Sequence, residues 1–315
     1  MGDRSDDPTA SDSTHSIKGG HDRAYHALFN HPALVRSLIR DYIPTELWRV
    51  YDLEPIEQVS AKFITYGLLK REGDLIYKLP RRNGQALYMY LMLEFQSSSD
   101  RWMANRMMVY TGLLYQHLIE QDELGAGDLL PLVLPVVLYN GSAAWTAPRR
   151  LRDLLHIEAP TIDPLVNYQP TMRYLLLDIH RTSLQNDHNS LAASLFALEQ
   201  AQTVEQFLDE LERLVALLTD DAHTKLAKAF TAWLRKVRLP NAGVTLPDDR
   251  VYALQEVRNM LRESIERKVA EGIEQGIEQG IQRGIEQGAK QKQYEIASLF
   301  CQQRLERTLT AAEHK

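Results

Sequence analysis

The chain has 315 residues, 44% hydrophobic and 25% charged, so it can bury a core large enough for about two domains. Its 36 Lys and Arg residues against 42 Asp and Glu residues leave a net charge of −6, which argues against a broadly basic, histone-like nucleic-acid binder. The single cysteine, Cys301, excludes an intramolecular disulfide framework and a zinc site built from cysteines.

The N-terminal segment, residues 1–20, is polar and acidic and predicts a disordered leader without a secretion signal. The longest apolar run, Leu129 to Tyr139, is too short to cross a bilayer, so we expect a cytoplasmic protein with no membrane partner. Between the leader and Pro44, apolar residues recur at helical spacing, which predicts a first helix over His21 to Tyr42.

Two strands are predicted on either side of the turn signal Asn83-Gly84. The second strand, Leu87 to Gln96, alternates apolar and polar residues, so Glu94 and Gln96 project side by side from one of its faces. The first strand, Gly73 to Leu79, places Asp74, Ile76 and Lys78 on one face and is the simplest partner for the second. The two segments therefore predict a β-hairpin.

The register of this hairpin decides whether two acids meet. If the loop is the three residues 83–85, Asp74 falls opposite Glu94, with about 5 Å between the Cβ atoms. A two-residue turn at Asn83-Gly84 instead pairs Asp74 with Leu93 and places the acids on opposite faces. Carboxylates that close repel unless a cation or a proton lies between them, so the first register predicts a metal site. An ordinary exposed cross-strand pair is the alternative.

A basic, amphipathic helix is predicted after the hairpin, from Asp100 as its cap to about Gln121. Its apolar residues recur every three and four positions, and its two arginines lie off that stripe. These two arginines and three cations near the hairpin turn are candidates for contact with the phosphates of DNA. A solvated charged face is equally compatible with the pattern. These candidate DNA-binding residues are Lys78, Arg81, Arg82, Arg101 and Arg106.

Two further apolar runs, Leu130 to Leu138 and Arg173 to Ile179, predict buried strands. Alternating helices and strands indicate an α/β layered structure. From Leu191 onward the pattern is helical only, and Thr203 with Gln206 forms a capping box. The predicted divisions are a leader (1–20), an α/β domain (21–185), a helical subdomain (186–247) and a long helical tail (248–315).

The tail repeats a glycine followed by an apolar residue every four positions, from Gly272-Ile273 to Gly288-Ala289. Each interior glycine costs a helix about 1 kcal/mol relative to alanine, so a lone helix of this sequence is disfavoured. We therefore predict a helix that self-associates or docks on a partner, giving a homo-oligomer. A flexible, solvated tail is the alternative.

Four motifs together resemble the recombination-promoting nuclease (Rpn), or YhgA-like transposase, family, which belongs to the PD-(D/E)XK nuclease superfamily. The resemblance runs from about His21 to His180. The motifs are HDRAYHALFNHPALVRSLI, an Asp before a hairpin that ends in Glu-x-Gln-Ser-Ser, Met-x-x-Arg-Met-x-x-Tyr, and LPLVLPVVLYNG. The resemblance implies a PD-(D/E)XK restriction-endonuclease-like core, which is a mixed central sheet flanked by helices. An all-helical C-terminal region and a long C-terminal helix follow this core.

Carried over position by position, the resemblance implies that Asp74 and Glu94 hold the metal. Gln96 stands where the wider superfamily usually has Lys, and it is the third catalytic candidate. Asp22 occupies the acidic position of the family's first helix, as an accessory site residue or as a helix cap, and His26 stands where Lys is common.

The resemblance implies a Mg²⁺-dependent DNA endonuclease, with Mn²⁺ or Ca²⁺ as alternative metals, that leaves 5′-phosphate and 3′-hydroxyl ends. Its partner is DNA and its role is recombination-promoting or transposase-like. The alternative is a catalytically degenerate protein that keeps the fold and binds DNA or protein as an assembly module.

Overall fold

The computed structural model describes residues 23–59, 75–82, 88–156, 164–183, 190–219, 223–241 and 253–305. The chain divides after Arg258 into two compact units. The first is a mixed α/β structure, which confirms the predicted class, and the described part of the second is helical. The helices are α1 (residues 23–29), α2 (Pro32–Tyr42), α3 (Thr45–Trp48), α4 (Met103–Glu120), α5 (Leu191–Gln200), α6 (Val204–Leu217), α7 (Thr224–Trp233), α8 (Leu239–Asn241) and α9 (Leu254–Leu305), and the strands are β1 (Glu57–Val59), β2 (Leu75–Pro80), β3 (Tyr88–Gln96), β4 (Leu132–Tyr139) and β5 (Leu175–Asp178).

One five-stranded sheet, in the order β1-β2-β3-β4-β5, organises the first unit. Strand β2 pairs antiparallel with both β1 and β3. Strand β4 pairs parallel with both β3 and β5. A parallel pair needs a crossover connection, and α4 supplies it between β3 and β4. The last residues of the parallel strands, Gln96, Tyr139 and Asp178, are therefore aligned at one edge of the sheet.

Helices cover both faces of this sheet. On one face, Phe95 packs against Phe29 of α1 at 5.5 Å between ring centroids, and the Tyr77 hydroxyl donates to the Phe29 carbonyl oxygen at 2.5 Å. On the other face, Ile76 and Val137 pack under the buried side of α4. The second half of β4, Val136 to Tyr139, is accordingly buried on both of its faces.

The first helix is interrupted, and the prediction of one helix over His21 to Tyr42 is wrong at Pro32. Proline has no amide hydrogen and disfavours helical backbone in the residue before it. His31 accordingly has φ −102° and ψ 116°, and α2 begins with Pro32 in its first turn. The same residues thus form two consecutive helices, α1 and α2.

Helix α5 packs onto the N-terminal helix α2. Phe196 of α5 stacks on Tyr42 of α2 at 4.4 Å between ring centroids, and the Ala192 amide donates to the Ser37 hydroxyl at 2.9 Å. The predicted capping box is confirmed, since Thr203 and Gln206 exchange both bonds at the start of α6. The division into domains at residues 185 and 247 stays a prediction.

The long C-terminal helix is confirmed over Leu254–Leu305. The isoleucines of its repeat are 58–61% exposed, and a Cβ atom added at any of the repeat glycines would meet no other group within 4 Å. No helix within the described residues is long and apolar enough to span a membrane.

Candidate functional site

The register of β2 and β3 is that of the three-residue loop. Leu75 pairs with Leu93 and Pro80 with Tyr88, whereas the two-residue turn requires Leu75 opposite Met92. The two-residue alternative is therefore wrong. The turn at Asn83-Gly84 lies outside the described residues, so the register is read from the strands that flank it.

The predicted acids are only partly within the described chain. Asp22 and Asp74 lie outside it, and of Glu94 only the backbone is described, paired with Val137 of β4. Within the described residues, no three His, Cys, Asp or Glu side chains converge to bind a metal. The metal-binding and catalytic roles of these acids stay predictions.

Gln96, the remaining catalytic candidate, lies at the carboxyl edge of the sheet and is buried. Its carbonyl oxygen accepts the Asn140 amide at 3.0 Å, which extends the pairing of β3 and β4 by one bond. Tyr139 and Asp178 are its neighbours along the sheet, and aligned residues share a face. The edge therefore presents an amide, a phenol and a carboxylate in one row.

Electrostatics join the members of this row. Burial, followed by the charge of Asp178, raises the pKa of Tyr139, and the Arg181 guanidinium lowers it in part. The Tyr139 hydroxyl donates to the Ala143 carbonyl oxygen at 2.8 Å. Arg181 forms an ion pair with Asp178 at 3.1 Å and donates to the Ser142 carbonyl oxygen at 2.8 Å. The phenol and the ion pair thus hold one loop against the end of the sheet.

Asn140 connects the edge to α1 and to β5. His180 Nε2 lies 3.0 Å from the Asn140 carbonyl oxygen, and the Asn140 side chain hydrogen-bonds to the Tyr25 hydroxyl. Tyr25 also donates to the carboxylate of Glu199 in α5. Burial and the Glu199 charge raise the pKa of Tyr25, so its hydroxyl keeps its proton. Helix α1, which follows Asp22 in the chain, is thereby tied to the candidate site.

Sequence reasoning missed this edge, although the signal was present. Tyr139, Asp178 and His180 end or follow apolar runs that were predicted as strands. Because the carboxyl ends of parallel strands meet at one edge, polar residues there are candidates for ligand contact. The parallel arrangement of the strands was the missing step.

Four of the predicted DNA-binding cations lie at or near the surface with contacts of their own. Lys78 forms an ion pair with Glu123 at 3.3 Å, and the guanidinium of Arg101 lies 5.5 Å from the centre of the Trp102 ring. Arg81 lies in a β-bridge with Tyr51, and Arg82 Nε donates to the Tyr51 carbonyl oxygen at 2.7 Å. Their contact with DNA stays a prediction.

The fifth, Arg106, differs from its expected placement. It was predicted off the apolar stripe of α4, but it is 8% exposed and belongs to the buried side of that helix. Its guanidinium donates to the Asp100 carboxylate at 2.9 Å and to the Tyr110 hydroxyl at 3.2 Å. A buried cation requires such partners, so Arg106 fastens the start of α4 from inside.

Comparison with known proteins places this geometry in context. The sequence profile of the family described as "Putative transposase, YhgA-like" matches residues 19–228, about two thirds of the chain. No solved structure matches the chain.

Curated relatives include both nucleases and a protein named inactive. The chain is 29% identical over 154 residues to recombination-promoting nuclease RpnD of Escherichia coli O157:H7, which covers 45% of this chain and 58% of the relative. It is 32% identical over 124 residues to nuclease RpnC of Escherichia coli strain K12, covering 39% of each. It is 28% identical over 160 residues to the inactive recombination-promoting nuclease-like protein RpnE of strain K12, covering 50% of each. The chain thus spans about half the length of these relatives.

Proposed function

The chain belongs to the YhgA-like transposase family, and on that premise we propose that it is a metal-dependent DNA endonuclease with a PD-(D/E)XK core. The observation that carries the proposal is the register of β2 and β3. If the same register continued by one residue beyond Leu75, it would bring positions 74 and 94 opposite each other. Asp74 and Glu94 occupy those positions.

The order of elements supports the proposed core. Helices α1 and α2 precede an antiparallel series of three strands, and α4 then leads to a parallel fourth strand, β4. This is the mixed sheet flanked by helices that the family resemblance implies. The carboxyl edge, where Gln96 lies, is also where open α/β sheets place their ligands.

The donor set suits a hard divalent cation. Asp74 and Glu94 would hold Mg²⁺, or Mn²⁺ or Ca²⁺ in its place, since carboxylate oxygens are the preferred ligands of these ions. When bound, the ion lowers the pKa of a water and polarises the scissile phosphate. The Gln96 amide would orient that water, and Asp22 would add an acidic group from the residue before α1. Gln96 carries no charge, so this position cannot supply the cation that Lys provides in the wider superfamily.

A nicking assay on supercoiled plasmid tests the assignment. We expect the full-length protein to nick DNA with Mg²⁺ or Mn²⁺, leaving 5′-phosphate and 3′-hydroxyl ends, and both Asp74→Asn and Glu94→Gln to abolish nicking. Glu46→Gln, which removes an exposed acid from α3, is the matched control and should nick like the unmodified protein. Equal nicking by all four proteins would reject the assignment.

A second candidate, a nuclease fold that binds DNA or protein without cleaving, has its own support. Gln96 lacks a charge, and a relative over half of the chain is named inactive. For such a protein the assay predicts no nicking by any variant together with retained DNA binding. A Gln96→Lys variant separates the two cases further, because it restores the superfamily's cation and should nick faster only if the metal site is intact.

We also propose that α9 joins two copies of the chain in an antiparallel pair. The exposed isoleucines form an unpartnered apolar row, and its partner is a second α9 because the charges along the helix are self-complementary. The first half of the repeat carries only acids, Glu271, Glu274 and Glu278, whereas the second half carries Arg283 and Lys290 together with Glu286. Antiparallel packing brings acids against bases, whereas parallel packing opposes like charges.

Sedimentation of full-length variants tests the pairing. Ile277→Glu with Ile281→Glu should convert the dimer to a monomer, because it places charges in the packed row. Gln275→Glu with Gln279→Glu adds the same charge about 160° away around the helix and should leave the dimer intact. A monomeric unmodified protein at micromolar concentration would refute the proposal.

A further inference from the structure

Four exposed arginines gather where the loop after β4 meets the segment before β5. The backbone brings them together through an antiparallel bridge in which Arg150 pairs with Arg173. Two hydrogen bonds flank the bridge, from the Leu151 amide to the Met172 carbonyl oxygen at 3.0 Å and from the Tyr174 amide to the Arg149 carbonyl oxygen at 3.3 Å. This arginine cluster consists of Arg149, Arg150, Arg152 and Arg173.

The arrangement is electrostatically unfavourable by itself. Like charges directly opposite each other across a bridge repel, and Arg150 faces Arg173 in that way. Within the described part of the chain, no carboxylate forms an ion pair with any of the four guanidinium groups. Arg106 and Arg181, in contrast, each bind a carboxylate. In a chain of net charge −6, four clustered cations that have no carboxylate partner among the described residues indicate an external anion.

The loop that carries the cluster is fixed close to the candidate site. The amides of Thr146 and Ala147 donate to the Ser99 hydroxyl at 3.2 and 3.1 Å, and Ser99 follows Gln96 by three residues. On the other side, the Tyr174 hydroxyl accepts from Trp145 Nε1 at 2.9 Å and donates to the Pro148 carbonyl oxygen at 3.1 Å. These bonds hold the backbone of the cluster in place before any ligand arrives.

We propose that the arginine cluster binds the phosphate backbone of double-stranded DNA and positions it for the edge that bears Gln96. This inference rests on the proposed function and adds a binding site to it. Guanidinium groups match phosphate oxygens with paired N–H donors, and two neighbouring arginines suit the successive phosphates of one strand. Contacts of this kind fix the position of the duplex without reading its sequence.

Binding of a labelled DNA duplex to the full-length protein in EDTA tests the site without cleavage. Arg150→Gln with Arg173→Gln should weaken binding about thirtyfold at 0.15 M salt, the loss expected for two phosphate contacts, and should make the plot of log K against log salt shallower by about 1.8. The same loss should occur for duplexes of unrelated sequence. Arg150→Lys with Arg173→Lys keeps the charges and should retain the salt dependence.

The matched control is Arg49→Gln with Lys228→Gln, which removes two exposed charges outside the cluster. It should bind DNA like the unmodified protein. Thermal unfolding of the Arg150→Gln with Arg173→Gln variant should show equal or higher stability, because the substitutions relieve repulsion, so weaker binding cannot come from misfolding.

Equal losses in the cluster and control variants would overturn the inference, since net charge alone would then explain them. Unchanged binding by the cluster variant, from a protein that nicks plasmid, would also overturn it while leaving the nuclease assignment intact. The opposite result is a protein that does not nick plasmid but whose DNA binding still depends on the arginine cluster. In that case the inference stands and the nuclease assignment fails.

Discussion

The carboxyl edge of the sheet and helix α9 differ in how far their side chains are buried and bonded to other segments. At the edge, groups that water would solvate well are buried or bonded to one another, as with Gln96, Tyr139 and the ion pair of Asp178 with Arg181. On α9, the isoleucines of the repeat are 58–61% exposed. The stability of the edge therefore depends on contacts between distant segments, whereas the described contacts of α9 are mostly those of its own helix. Substitutions of the same kind should have different effects in the two regions.

The largest contrast is expected for truncation of an aromatic ring. Phe95 packs between the rings of Tyr25 and Phe29, so Phe95→Ala should lower the free energy of unfolding by about 3–5 kcal/mol. Phe300 on α9 is 71% exposed, and Phe300→Ala should change the stability of the monomeric unit by less than about 0.5 kcal/mol. Chemical denaturation measures both. Similar losses would show that α9 is packed as tightly as the sheet.

The second-largest contrast in stability is expected for removal of an acidic side chain. Asp100→Ala removes one carboxylate that binds the buried guanidinium of Arg106, at a cost of about 3 kcal/mol. Glu286 on α9 accepts a hydrogen bond from Gln282 at the surface, so Glu286→Ala should cost less than about 0.5 kcal/mol. Denaturant midpoints give the difference. A cost for Asp100→Ala as small as that for Glu286→Ala would mean that water solvates Arg106.

Replacing glycine by alanine should lower stability in one region and raise it in the other. A Cβ atom at Gly141 would lie 2.2 Å from the Tyr139 hydroxyl oxygen, so Gly141→Ala should destabilise the first unit by about 1–3 kcal/mol. Gly280→Ala meets no group within 4 Å and should favour the helix by about 1 kcal/mol. Thermal unfolding followed by circular dichroism reports on both variants. A destabilising Gly280→Ala would indicate close backbone packing at that position.

The last contrast in stability develops only at alkaline pH. Burial raises the pKa of Tyr174 to about 12, whereas an unfolded tyrosine has a pKa of about 10. A raised pKa in the folded state stabilises the protein fully below pH about 10, and this contribution is lost as the pH rises towards 12, by up to about 1.4 kcal/mol per pH unit. Tyr174→Phe should remove that share of the pH dependence.

Tyr294, which is 63% exposed on α9, provides the matched variant for this measurement. Tyr294→Phe should leave the dependence of unfolding free energy on pH unchanged. Denaturation at a series of pH values between about 8 and 12 compares the two variants. An unchanged slope in Tyr174→Phe would show that this hydroxyl is solvated in the folded protein.

Local patterns were sufficient to predict much of the fold. The alternation in Leu87 to Gln96 predicted a strand, which the structure has at Tyr88–Gln96, and the pair Thr203 and Gln206 predicted the cap of α6. The apolar spacing continues across Pro32, so it predicts one helix, whereas the proline itself marks the break between α1 and α2. These features depend on neighbours a few residues apart, so the sequence contains their causes.

The candidate site was predictable only in its residue types. From the sequence, both hairpin registers were possible, and only the pairing of Leu75 with Leu93 distinguished them. The helical pattern predicts Arg106 at the surface because it lies off the apolar stripe, whereas the structure pairs it with Asp100 on the buried side of α4. The residue's burial follows from the packing of α4 against the sheet, which its own helical pattern does not reveal.

The sequence by itself determined the helices, the alternating strands, the capping box and the repeat of α9, because these arise from backbone preferences and side-chain periodicity along one segment. Only the tertiary structure decided which strands run parallel, which residues share the carboxyl edge, and that Arg150 faces Arg173. Those arrangements join residues far apart in the chain, and their free energy comes from burial and pairing that exist only once the segments have met.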